Sequence, residues 1–102
     1  MNDPILLATK LNELVQLASE ASTGFEQAAI YSACSSIWKE FEESGEQFDG
    51  YIMEKVLGVC YHIKAAVGYD VTNGHNKSSH ISWAYGELMT LDNLLEERSR
   101  NV

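Results

Sequence analysis

The chain contains one proline, at position 4. Proline is the strongest interrupter of regular helices, so a chain that places its only one at the fourth residue is free to run long helices. It also lacks the punctuation that a many-turned β fold needs. Asp3 followed by Pro4 opens a helix well, because the aspartate can cap it and the missing proline N–H is not needed at the first helical position. From there Leu7, Leu11, Leu14, Val15 and Ala18 recur at steps of three and four, which marks one face of an α-helix over about 4–21.

Ser22, Thr23 and Gly24 end that pattern, and Thr23 with Glu26 has the form of a capping box for a second helix over 24–43. Its apolar stripe is Ile30, Tyr31, Cys34, Ile37, Trp38 and Phe41. Ser44 and Gly45 stop it, 46–50 reads as a connection, and Asp49 caps a third helix over 50–67. The inward face there is Ile52, Val56, Val59, Cys60, Ile63 and Val67. Gly58 lies inside this helix at a cost of about 1 kcal/mol against alanine, and is read as a point where another helix comes close. The stretch Gly68 to Ser78 is the least helical. Its Asn73-Gly74 dipeptide suits a loop, with a short β-hairpin between Val71 and Ile81 as the alternative. Ser78 or Ser79 then caps a fourth helix over 79–98, with Ile81, Ala84, Tyr85, Leu88, Leu91 and Leu95 inward. Arg98 and Arg100 fall near its C-terminus, where positive charge suits the helix dipole.

Four amphipathic segments that cannot bury their faces alone predict an all-α protein, an antiparallel up-down four-helix bundle in a single domain of 102 residues. A core of that size needs neither disulfide nor metal to hold it.

Seven Lys and Arg against fifteen Asp and Glu leave a net charge of −8. That excess argues against direct binding of nucleic acid or of an anionic membrane, both of which would repel it. No run approaches the ~20 apolar residues of a membrane span, and the residues ahead of Lys10 lack the basic cluster of a secretory signal. The expectation is a cytoplasmic protein in which Cys34 and Cys60 are buried free thiols.

Catalytic constellations are scarce. Cys60 and His62 stand two apart and would point about 200° from each other on a helix, so they cannot share one metal ion. No glutamate precedes a histidine by three residues, as the carboxylate-bridged metal bundles require. Gly68, Gly74 and Gly86 fit no phosphate-binding loop. His62 reads as a helix-surface residue and His75 as a loop residue. The sequence therefore predicts no catalytic residue, no metal and no cofactor.

The acidic residues are more informative. Glu40, Glu42, Glu43, Glu46, Asp49 and Glu54 lie between Lys39 and Lys55 with no basic residue among them. Glutamates at the end of the second helix oppose its dipole, a placement that bundle stability alone would not favour. Phe48 and Tyr51 lie in or beside this stretch, and aromatics ringed by charge are typical interface anchors. The predicted partner-binding set is Glu40, Glu42, Glu43, Glu46, Asp49 and Tyr51. The expected partner is a basic protein, a toxin or nuclease whose positively charged active-site cleft this surface would block, as an immunity or inhibitor protein does. Bacterial immunity proteins and phage-encoded nuclease inhibitors share this size, charge and frequent helicity, a likeness of class with no motif in common. Two alternatives stand beside it. One is a helical adaptor or regulatory subunit that forms a homodimer through Tyr61, Tyr69 and Trp83; the other is a small metal- or thiol-dependent enzyme using His62, His75, His80 and the cysteines.

Overall fold

A computed structural model describes residues 4–43, 50–68 and 76–100. They form four helices: α1 (Pro4–Glu20), α2 (Gly24–Glu43), α3 (Gly50–Ala66) and α4 (Lys77–Arg100). The local signals explain most of their limits. Glu26 Oε1 accepts the backbone N–H of Thr23 at 3.1 Å while Thr23 Oγ1 accepts the N–H of Glu26 at 3.1 Å, a reciprocal capping box. Those donors, the Ser22 and Thr23 N–H groups first, hold the Glu26 carboxyl below its ordinary range. Past the end of α3, Gly68 takes a left-handed φ of 85° and donates its N–H to the Ala65 carbonyl at 3.0 Å, which ends the helix.

The fourth helix departs from expectation at both ends. Asn76 caps it, its Oδ1 accepting the Ser79 N–H at 2.8 Å, so the helix begins at Lys77 and not after Ser78 or Ser79. It runs on to Arg100, where Arg100 meets Glu96 one turn back at 3.5 Å. Helices α1 and α3 end at Glu20 and Ala66, each one residue short of the expected limit. The predicted caps Asp3 and Asp49 and the hairpin alternative around Asn73-Gly74 lie outside the described residues.

Cross-helix pairs fix the topology. Cys34 reaches Cys60, and Lys64 stands over the Tyr31 ring, so α2 and α3 run in opposite directions. Lys55 meets Glu87 and His62 meets His80, so α3 and α4 are also antiparallel. Lys77 Nζ donates to the Ala21 carbonyl at 2.8 Å, tying the start of α4 to the residue just beyond α1. The chain is therefore an antiparallel four-helix bundle. Its longest dimension, 42 Å, matches the ~36 Å that the 24 residues of α4 span at 1.5 Å each. Helices α3 and α4 share the most extensive interface, α1 packs between α4 and α2, and α2 and α4 occupy opposite corners.

The core is nearly the predicted one. Leu7, Leu11, Leu14, Val15 and Ala18 from α1 are buried, as are Ile30, Cys34, Ile37 and Phe41 from α2. Ile52, Val56, Val59, Cys60 and Ile63 from α3, with Val67 just past it, meet Ala84, Leu88, Leu91 and Leu95 from α4. Tyr31, Trp38 and Ile81 pack at the edge of this cluster. Tyr85, expected inward, is exposed, because it sits a third of a turn from the Ala84–Leu88–Leu91 line. No described helix is long and apolar enough to cross a membrane. Replacing Thr23 with alanine should destabilise the protein by about 1 kcal/mol in urea unfolding, since it leaves an α2 N–H without its cap.

Candidate functional site

Two regions hold the chemistry-bearing side chains, and they differ in how their charges are matched. The first is the acidic junction of α2 and α3. Glu42 and Glu43 are exposed in the final turn of α2, Glu40 is half-buried, and that turn carries no basic residue. The partial negative charge of the helix C-terminus therefore adds to the carboxylates instead of being offset. Tyr51, in the first turn of α3, is 51 % exposed, and Lys55 lies over its ring at 5.2 Å. The structure thus places Glu40, Glu42 and Glu43 in one helix turn, Glu42 about 200° around the axis from Glu40, with Tyr51 opening the next helix. Glu46, Asp49 and Phe48 lie outside the described residues.

Neither lysine of α3 is turned to this end alone. Lys55 Nζ meets the Glu87 carboxylate of α4 at 3.2 Å. Lys64 Nζ stands 4.9 Å above the Tyr31 ring.

The second region is the seam between α3 and α4, which the sequence did not reveal. His80 is buried at the start of α4, and His62 is half-buried opposite it on α3. Their Nδ1 atoms are 3.1 Å apart, so one imidazole donates to the other. Trp83 packs against both rings, at centroid distances of 5.5 Å and 5.4 Å, and Tyr61 presents an edge contact to each. Burial first, then the neighbouring His80, hold the His62 imidazole below the ordinary histidine range, while Glu87 pulls it the other way. One turn along, Glu87 lies over Gly58, where a Cβ would come within 2.8 Å of its Oε2. The close helix approach expected at Gly58 is not what the glycine admits; the space holds the end of the Glu87 side chain.

His62 is accordingly not the surface histidine that the sequence suggested, and His80 belongs to the core. A signal was present: His80 stands four residues before Ala84 and extends the Ala84–Leu88–Leu91–Leu95 stripe by one turn. His75 lies outside the described residues. Among the described residues no three His, Cys, Asp or Glu side chains come together as metal ligands would.

The cysteines are both buried, on facing turns of α2 and α3, and the Cys34 thiol donates to the Cys60 carbonyl at 3.7 Å. The adjoining Cys34 thiol, then burial, push the Cys60 thiol well above the ordinary range. A nucleophilic thiol requires the reverse, an accessible and electropositive setting. Tyr61 and Trp83, expected off the apolar stripes, are 37 % and 41 % exposed. Tyr69 lies outside the described residues.

No protein-family model, curated protein or solved structure matches this chain. The site is therefore read from its own geometry.

Both thiols should resist an aromatic disulfide reagent in the native protein and react fully once urea unfolds it; rapid labelling of either thiol in native buffer would contradict the buried geometry. His80→Ala should cost on the order of 2–3 kcal/mol in chemical denaturation, because it empties a packed site and strips His62 of its partner. Glu87→Gln, at the half-exposed end of the same seam, should cost much less by the same measurement.

Proposed function

We propose that this protein is a small acidic protein-binding domain that neutralises a basic partner, in the manner of an immunity or inhibitor protein acting on a toxin or nuclease. The docking surface is the junction of α2 and α3: Glu40, Glu42, Glu43 and Tyr51, together with Glu46 and Asp49 from the connection. One observation carries this reading. The last turn of α2 holds three glutamates and no basic residue, while Lys55 is paired with Glu87 across the bundle. Carboxylates set against a helix dipole raise the energy of the isolated protein, and a cationic partner would relieve it.

The physics of such a partner is specific. A nuclease cleft is positive because it must hold phosphates, so a negative surface attracts it over several ångströms and speeds encounter. Tyr51 would give the charged rim an aromatic anchor. The reading places the protein in the cytoplasm, where reduced thiols such as Cys34 and Cys60 persist.

Self-association is the second reading, favoured by apolar side chains that face outward on the α3–α4 half. Leu57 is exposed on α3 one turn before Tyr61, and Trp83 and Met89 are exposed on α4. Sedimentation at high concentration separates the two: the adaptor requires a concentration-dependent dimer, the antagonist does not.

The decisive experiment is co-expression with the product of the adjacent gene, followed by charge reversal. Replacing Glu42, Glu43 and Glu46 together by lysine should slow association with the captured basic protein at least about tenfold at low salt. It should also flatten the salt dependence while leaving the helical circular dichroism intact. Binding to the captured basic protein that survives the triple reversal unchanged would remove this surface from consideration.

A further inference from the structure

The α3–α4 seam contains a device that protein docking at the other junction does not use. Two imidazoles meet head to head through their Nδ1 atoms at 3.1 Å, with ring centroids 5.3 Å apart. That centroid spacing is close to the sum of the nitrogen separation and the ~2.3 Å by which two ring centres stand behind their nitrogens, so the rings point at each other nearly in line. In-line rings suit an N–H···N hydrogen bond. Two ligands converging on one ion would be tilted towards it at a marked angle.

We propose that His62 and His80 form a proton-limited clasp between α3 and α4, which tolerates one added proton and is disengaged by a second. In the neutral pair, one Nδ1–H donates to the other Nδ1. With His62 as the donating ring, a first added proton can reside on its Nε2 and leave the contact intact; the Nε2 of His80 is buried and does not offer that site. The second must occupy the accepting Nδ1. Two N–H groups then face each other, and two cations stand in contact with no lone pair between them.

The surroundings favour this sequence of events. Among the described residues, the titratable and charged groups facing His62 are Tyr61 on its own helix and His80 and Glu87 on α4. Glu87 supports a single positive charge on His62, but its carboxylate also meets Lys55. Burial of His80 and of half of His62 leaves little water to screen a second charge. The sign follows by linkage. In the unfolded chain the His62 imidazole binds its proton near pH 6.5, whereas in the folded chain burial and the facing ring hold it below that. Stability is therefore full above about pH 6.5 and falls as the pH drops below it, before most carboxylates are protonated. The α3–α4 interface is the most extensive in the bundle, so this contact bears on the whole fold.

The test uses the full chain in chelator-containing buffer. Histidine ring signals followed by NMR from pH 8 to 4.5 should show the His62 imidazole titrating clearly below the ordinary histidine value. Melting temperatures of the natural protein and of His62→Gln should be compared at pH 7 and pH 5. Glutamine can occupy the contact without titrating, so the variant should lose several degrees less than the natural protein across that interval. A His62 imidazole titrating at or above the ordinary histidine value would overturn the proposal, as would equal losses in both proteins. If His62→Gln does not fold, the ring titration of the natural protein decides alone.

Discussion

Each of the four helices carries a single apolar face, and everything else in the structure depends on those faces being buried together. None of them has an alternative place to put its leucines, valines and isoleucines. Hydrophobic burial of this kind is strong but undirected, so register and helix order must be set by other contacts. In this protein they are set by polar pairs at the helix boundaries: Lys77 on the Ala21 carbonyl, Lys55 on Glu87, and His62 on His80. Each is shielded enough to cost something if the helices slipped by a turn.

The same bundle divides its charges into two populations. Lys55 and Glu87 are matched across the α3–α4 seam. Those at the end of α2 accumulate with one sign, next to a helix terminus of the same sign. A lysine in the final turn would have offset the dipole, and that turn has none. Such a concentration is what the proposed recognition of a cationic surface would use.

The sequence was most legible where spacing alone determines the outcome. The three- and four-residue recurrence from Leu7 to Ala18, and again from Ile52 to Ile63, depends only on helix geometry, and those residues are buried. The Thr23–Glu26 cap is equally local and equally readable. Legibility failed where a polar residue had to be assigned a direction. His62 and His80 are 18 residues apart, and nothing short of the α3–α4 packing shows that their rings meet. Asn76 was overlooked as a cap because two serines offered the same chemistry a little later. The acidic junction was visible as a charge run, and its clustering on one helix end follows once α2 is known to reach Glu43.

Gly58 and Glu87 make one further point. A Cβ at position 58 would meet the Glu87 carboxylate at 2.8 Å, and because that is the tip of a flexible side chain, a substitution there is met by Glu87 swinging aside. That movement would draw the carboxylate away from Lys55, so a side chain at position 58 acts first on the ion pair across the seam and only then on the packing of the two helices.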